Sequence, residues 1–285
     1  MVGNVGTLYL VGTPIGNLED ISQRALRTLR QVSLIAAENP ARTQRLLARY
    51  DIRTPMMRYT DAYDRKKRVR MQAVLAALAE GDVALVSEAG MPGLSDPGYE
   101  LLRAAVERGV PVVPLPGPTA VTAALSASGF PTERYVFVGF LPRKRVARRK
   151  LLTSLGDTPY PVVAYESPHR LLETLQDVRA ILGRRPLSVS CELTKLYEET
   201  RHGTAGEVLA HFQTHAPRGE FTLVIEGKSA DRRKNTDQQN EADRGKGADR
   251  RKNIDQQNEA DRGKGADRRE GADQQNGADR GKGAD

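Results

Sequence analysis

The chain has 285 residues, with 44 Lys and Arg against 36 Asp and Glu, one Cys and no Trp. Its formal charge of +8 favours a polyanionic partner, and the single thiol, Cys191, excludes an internal disulfide and suits a reducing compartment. No stretch approaches the roughly 18 apolar residues of a membrane span, and the apolar run Leu8-Tyr-Leu-Val11 is too short for the core of a signal peptide, so a cytoplasmic protein is expected.

A first strand is expected over residues 7–11, running into the turn-rich Gly12-Thr-Pro-Ile-Gly-Asn17. A helix should follow from about Asp20, whose side chain is placed to cap it, with Ile21, Ala25, Leu29 and Val32 on one face. The next strand covers residues 34–37 and leads through Glu38-Asn39-Pro40 into a basic helix ending near Tyr50. Residues 56–59 make a short strand. Residues 66–80 form an amphipathic helix, with Val69, Ala73, Ala76 and Leu78 towards its buried side and Gly81 to stop it.

The stretch from Gly81 to Gly98 is the most informative. Val83-Ala-Leu-Val86 is a continuous apolar run, the pattern of a strand buried on both faces of a parallel sheet. Three glycines and two prolines between Gly90 and Gly98 then fix φ at some positions and free it at others, which gives the loop a particular shape and rules out helix. A shaped loop between such a strand and a helix over residues 99–108 is where open α/β sheets bind ligands. A second such unit follows: a strand over residues 111–115, then Pro116-Gly117-Pro118-Thr119-Ala120 opening an Ala-rich helix through Ser128. The prolines sit where a missing N–H does no harm, and Thr119 is placed to accept a backbone N–H. The remaining N–H groups suit a carboxylate or the edge of a base.

Through Pro116 the alternation of strand and helix is that of a doubly wound parallel sheet. After Ser128, strands over residues 135–140, 162–165, 187–192, 197–202 and 221–226 are joined by helices over 143–155, 169–182 and 204–211. That suggests a second, smaller α/β domain with more antiparallel pairing. The domains read as residues 1–117, 118–227 and 228–285, and the cleft between the first two should contain both Gly/Pro loops. The last segment has 15 basic residues against 13 acidic, so +2 of the charge is its own and +6 belongs to the folded part. It is almost without apolar residues and repeats on an 18-residue step from Ala230, Ala248 and Ala266. With no apolar face to stack, it reads as a disordered low-complexity tail.

No Gly-x-Gly-x-x-Gly follows a strand and no Gly-Lys-Ser/Thr loop is present, so ordinary dinucleotide and triphosphate sites are unsupported. His211 and His215 are four residues apart but have no third ligand nearby in sequence; they read as surface histidines, and no metal is expected. Cys191 and Ser95 have no obvious His partner for nucleophilic catalysis. The run from Arg143 to Lys150 has six cations in eight residues. As a helix docked by Val146 and Leu151, it would offer Arg143, Lys144, Arg145, Arg148, Arg149 and Lys150 to a phosphate-rich partner. Tyr63, Arg65, Lys66, Lys67 and Arg68 form a second, weaker patch.

Six segments can now be placed in order: Leu8-Tyr-Leu-Val-Gly-Thr-Pro-Ile-Gly-Asn-Leu-Glu-Asp20, Ser87-Glu-Ala-Gly-Met-Pro-Gly-Leu-Ser-Asp-Pro-Gly98, Pro114-Leu-Pro-Gly-Pro-Thr-Ala120, Tyr165-Glu-Ser-Pro-His-Arg170, Glu192-Leu-Thr-Lys-Leu-Tyr-Glu-Glu199 and Gly219-Glu-Phe-Thr-Leu-Val-Ile-Glu-Gly227. Over about residues 6–227 the chain resembles the ribosomal RNA small subunit methyltransferase I family of the tetrapyrrole methylase superfamily. The resemblance implies a two-domain α/β tetrapyrrole-methylase-like fold, usually a homodimer, with S-adenosylmethionine held in the cleft. It further implies 2'-O-methylation of a cytidine ribose in 16S ribosomal RNA, at the decoding centre of the small ribosomal subunit. The cofactor is placed against Gly90, Met91, Pro92 and Leu94 of the first loop, Pro116, Gly117, Thr119 and Ala120 of the second, and Tyr165.

The chain departs from the family pattern at three places. Ala37-Glu38-Asn39-Pro40-Ala41 stands for Ala-Glu-Asp-Thr-Arg, Glu88 and Met91 stand for Asp and Thr, and Cys191 stands for Arg. Methyl transfer to a ribose hydroxyl gains most from alignment of oxygen, methyl carbon and sulfur in a dry cleft. The hydroxyl must also lose a proton, and Glu38 and Glu88 are the candidate general bases. Two other readings fit the same residues: a C-methyltransferase acting on a tetrapyrrole, against which the basic run argues, and a non-catalytic RNA-binding or assembly protein of the same fold.

Overall fold

The computed structural model describes residues 5–60 and 66–228. Tyr63 and Arg65 of the weaker basic patch, and the whole repeat segment from residue 229, lie outside the described residues. Up to Lys228 the chain makes one compact unit built on two five-stranded sheets.

The first sheet contains β1 (Leu8–Val11), β2 (Leu34–Ala37), β3 (Met56–Arg58), β4 (Val83–Val86) and β5 (Val112–Leu115), in the order β3-β2-β4-β1-β5 and parallel throughout. All four residues of β4 are buried, as an apolar run flanked by strands and covered on both faces requires. Four helices provide the cover. Residues of α1 (Gln23–Gln31) and α2 (Pro40–Arg49) pack with Val11, Ile35, Ala84 and Leu115; those of α3 (Lys67–Glu80) and α4 (Tyr99–Glu107) pack with Leu8, Ala36, Val83 and Leu85. Val11 pairs with Val86 on one side and with Leu115 on the other, so three strands end level at their carboxyl ends.

The second sheet is mixed. It contains β6 (Val136–Phe140), β7 (Val162–Glu166), β8 (Pro186–Cys191), β9 (Glu199–Thr204) and β10 (Phe221–Ile225), in the order β6-β7-β10-β8-β9. β6 and β7 are parallel and the other pairs antiparallel. One face packs under α6 (Arg145–Ser154), α7 (Leu171–Leu182) and α8 (Ala205–Thr214); Val163 and Val224 on the other pack with Val121, Ala124 and Leu125 of α5 (Ala120–Ala127). The helix that leaves the first sheet thus lies against the second.

Three local expectations need correction. Asp20 does not cap α1: Leu18–Asp20 form a 3-10 turn, and Ser22 caps the helix by accepting the Ala25 N–H at 3.1 Å. Between turn and helix, Ile21 is extended and 7% exposed, since the apolar side chain must enter the core before the helix begins. In α3 the buried face is Val74 and Leu78; Val69 is 65% exposed, and Ala73 and Ala76 are also outside. That segment is apolar on most sides, and the larger side chains four apart bury more area than alanines do.

The third correction concerns the basic run. Arg148 is fully buried, and Val146, expected to dock the helix, is 82% exposed. Arg148 Nη2 lies 2.8 Å from Asp177 of α7, which is itself buried, and Arg145 and Arg149 meet the other carboxylate oxygen at 3.3 and 3.1 Å. α6 therefore docks through Arg148 and Leu152, one turn apart, and Arg148 is withdrawn from any phosphate contact. Burial pushes the Asp177 carboxyl up, but the three guanidinium bonds outweigh it and hold it below the usual carboxylate range. Removing one member of a buried ion pair leaves the other uncompensated, so D177A should lower unfolding stability by about 3–5 kcal/mol. Denaturant melts at several pH values check this. The advantage of the unmodified protein should be present above the ordinary carboxylate range and shrink as pH falls through the depressed folded pKa of Asp177.

Candidate functional site

The level ends of β1, β4 and β5 bring three loops together, and main chain meets main chain there. Thr13 and Gly90 exchange backbone hydrogen bonds at 2.8 and 3.0 Å, so the loop after β1 is tied to the loop after β4. Gly12 and Gly117 pack closer still: a Cβ on either would lie 2.7 Å from the Cα of the other. No residue but glycine fits such an approach without movement of the backbone. In the β4 loop, Gly90, Gly93 and Gly98 have φ of 83°, 82° and 137°, values that side-chain-bearing residues rarely adopt. Thr119 then caps α5 by accepting the Thr122 N–H at 3.2 Å, as its position in the sequence suggests.

These loops form one wall of a cavity of about 390 Å³ whose other wall is the second sheet. Glu38, Glu88, Gly90, Met91, Leu94, Thr119, Ala120 and Tyr165 all line it. The remaining expected residues do not. Gly117 borders a neighbouring depression that shares Ile15 and Thr119 with the cavity, Pro92 is buried, and Pro116 is exposed beside the loop. The cavity also takes in Arg42, Asp96, Phe140, Glu166 and Glu220, which sequence reasoning had not singled out. Three of these stand inside segments already quoted, so the signal was present; what was missing was which side of each loop faces inwards. Tyr165 is packed by Phe137 and Phe140, with ring centroids 5.1 and 5.4 Å away.

The charges in the cavity are unequal. Glu38 accepts the backbone N–H of Glu88 at 2.9 Å. The Glu88 carboxylate is held on both oxygens, by Arg42 at 2.9 Å and by the Asn39 amide at 3.0 Å. Asn39 in turn accepts the Arg42 N–H at 3.3 Å and so caps α2. Glu166 accepts from Ser167, Arg170 and Thr174 and is 1% exposed. Asp96 differs from all of these. Burial, and then the charge of Glu38, push its carboxyl up to about 7 against the opposing hydrogen bond of the Ser87 hydroxyl, with lesser repulsion from Glu88 and Glu220. Burial, with Asp96 adding to it, pushes Tyr165 up to about 12. Among the described residues no group of three His, Cys, Asp or Glu side chains could hold a metal ion, and no helix is long and apolar enough to cross a membrane.

The sequence model of the tetrapyrrole (corrin/porphyrin) methylases matches residues 7–209. Curated relatives include proteins named ribosomal RNA small subunit methyltransferase I from Halalkalibacterium halodurans, 47% identical over 78% of this chain and 76% of the relative. Those from Thermotoga maritima and Escherichia coli O157:H7 are 46% and 44% identical over 79% of this chain, covering 100% and 79% of the relatives. Among solved structures, a cobalt precorrin-4 methyltransferase superposes with a TM-score of 0.59 at 18% identity, covering 79% of this chain and 96% of the other. A uroporphyrin-III C-methyltransferase from Thermus thermophilus complexed with S-adenosyl homocysteine gives 0.53 at 19% identity, covering 78% of this chain and 98% of the other. These two share the fold.

The glycine contact at the head of the cavity has a direct check. G117A places its methyl 2.7 Å from Gly12 Cα and should cost about 1–3 kcal/mol through overpacking. Urea unfolding measures it; the same change at Gly206, whose added Cβ would meet nothing nearer than 3.8 Å, should be much milder.

Proposed function

The chain belongs to the tetrapyrrole (corrin/porphyrin) methylase family, and from that premise we propose that it is an S-adenosylmethionine-dependent methyltransferase acting on ribosomal RNA of the small subunit. The carrying observation is the identity of 41–47% to curated relatives of that name, over some four-fifths of this chain. The finer reading, 2'-O-methylation of a cytidine ribose of 16S ribosomal RNA by a cytoplasmic homodimer, follows the resemblance in sequence.

The residues present suit the donor. The N-terminal end of α5, with Thr119 and Ala120 on the cavity, offers backbone N–H groups to a carboxylate or an adenine edge. Gly90, Met91 and Leu94 supply main chain and apolar surface, and Tyr165 a flat wall. The cavity's carboxylates favour a cation beside them and hold it less once its charge is lost. When bound, S-adenosylmethionine supplies an electrophilic methyl carbon on a positively charged sulfur. The chain's task is to hold the acceptor oxygen in line, keep water out and receive a proton.

Phosphate contact falls to the part of the basic run that remains exposed. Arg143, Lys144 and Lys150 are outside, while Arg145 and Arg149 are shared with Asp177. Arg143 and Lys144 follow within four residues of Phe140, which lines the cavity, so cations stand close to its rim.

Labelled methyl should pass from S-adenosylmethionine to small ribosomal subunits from a strain lacking this protein, and should map to a ribose 2'-oxygen. Cofactor binding with label on a tetrapyrrole instead would transfer the assignment to the activity that the solved neighbours are named for. Lack of cofactor binding would leave a non-catalytic protein of the same fold. The triple variant R143E/K144E/K150E should reduce the slope of log affinity for RNA against log salt by about 2–3, as titrations at several salt concentrations will show. A sedimentation mass twice that of the chain checks the homodimer.

A further inference from the structure

We propose that Asp96 is the general base of the methyl transfer, taking the proton of the acceptor hydroxyl; this rests on the methyltransferase reading above. The other carboxylates of the cavity are committed. Glu88 is held on both oxygens by Arg42 and Asn39, and Glu38 receives the Glu88 N–H. Glu166 is buried and triply bonded. Glu220 is largely exposed and 3.3 Å from Lys195, where water competes for its charge. Asp96 lines the cavity with the Ser87 hydroxyl beside it, and no cation pairs with it among the described residues.

The loop holds this side chain firmly. Ser95, just before it, has φ of 63°, a left-handed conformation that a serine adopts at some cost. Pro97 follows with its φ fixed, then Gly98 at φ 137°. Ser95 also touches the second sheet: a Cβ on Gly139, in the irregular stretch of β6, would lie 3.1 Å from Ser95 Oγ. Asp96 therefore sits where both sheets meet, with Tyr165 of β7 near enough to feel its charge.

The groups that face it are Glu38 from the end of β2, Glu88 and Ser87 from the end of β4, Glu220 from the segment before β10, and Tyr165 from β7. Burial and three like charges raise its affinity for a proton to the range where a carboxylate can both accept one at neutral pH and hold it. In the reaction the hydroxyl proton passes to the Asp96 carboxylate as the oxygen forms its bond to the methyl carbon. The bond broken is that between methyl carbon and sulfur, whose electron pair stays on sulfur and cancels its positive charge. Asp96 then returns the proton to water.

The test uses the full chain on small ribosomal subunits. D96N should lower kcat by about 10²–10⁴-fold while S-adenosylmethionine affinity by calorimetry stays near that of the unmodified protein. The unmodified protein's kcat should rise with pH through about 7 and level off, D96N should lack that limb, and D96E should recover part of the rate. A second readout needs no turnover. With a folded pKa near 7 against 3.8 for an ordinary Asp, the stability tied to protonated Asp96 is present at low pH and lost as pH rises through that window. The melting temperature of D96N relative to the unmodified protein should accordingly climb between about pH 4 and 7. D96N with a normal rate, or with the pH limb intact, overturns the assignment. If the unmodified protein itself puts no label on RNA, the parent reading falls first and this one with it.

Discussion

The approach of Gly12 to Gly117, with the Thr13–Gly90 exchange of hydrogen bonds beside it, is the contact on which the rest of the site depends. Parallel strands that end level leave unpaired N–H and C=O groups at one edge of the sheet, and those groups need partners. Here the loops satisfy one another. Because no side chain intervenes, the loop after β5 passes close over the loop after β1 and sends α5 onto the second sheet, where Val121, Ala124 and Leu125 pack with Val163 and Val224. A bulkier crossing would force the two backbones apart. The cavity is thus a consequence of backbone packing, and its chemistry is added by what hangs from the loops.

That chemistry turns on how crowded negative charge is shared. Glu38, Glu88, Asp96, Glu166 and Glu220 all border one cavity, and crowded like charges raise the proton affinity of the carboxyl least able to find a partner. Arg42 and Asn39 bond the two oxygens of Glu88, and Lys195 lies 3.3 Å from Glu220. What is left of the repulsion falls on Asp96. Two departures from the family pattern belong together in this light. Asn39 stands where the resemblance expects Asp, and Glu88 stands where it expects another Asp; the amide donates to the longer carboxylate at 3.0 Å. Two acids at these places would repel, whereas an amide and an acid bond, and the added methylene lets Glu88 also reach Arg42. The change at one position makes sense of the change at the other.

Much of this was legible in the sequence, and the physical reasons are specific. Val83 to Val86 could be read as a doubly covered strand because every residue is apolar and each face of the sheet needs them. The Gly/Pro loops could be read as a site because their φ demands exclude ordinary connections. α3 was harder: apolar residues occur on most of its sides, and the choice of Val74 and Leu78 over Val69 depends on what packs against it. The basic run misled for a related reason. Six cations in eight residues look like a surface for phosphate until Asp177, some thirty residues on in the chain, is seen to take three of them. Asp96 was hidden differently, inside a recognised motif, because its affinity for a proton comes from burial in the cavity and from Glu38 after β2, Glu88 after β4 and Glu220 before β10, which no local pattern brings together.

A base built this way depends on both sheets at once. Ser95, just before it, has a left-handed φ of 63°, and its Oγ lies close to Gly139, whose own φ of 63° falls in the break in register between Phe137 and Phe140. A Cβ at that point would lie 3.1 Å from Ser95 Oγ and crowd it. The irregularity in the second sheet and the left-handed turn in the first-sheet loop therefore meet at one point. This is why Asp96, Tyr165 and the start of α5 converge on a single cavity, although they come from three different parts of the chain.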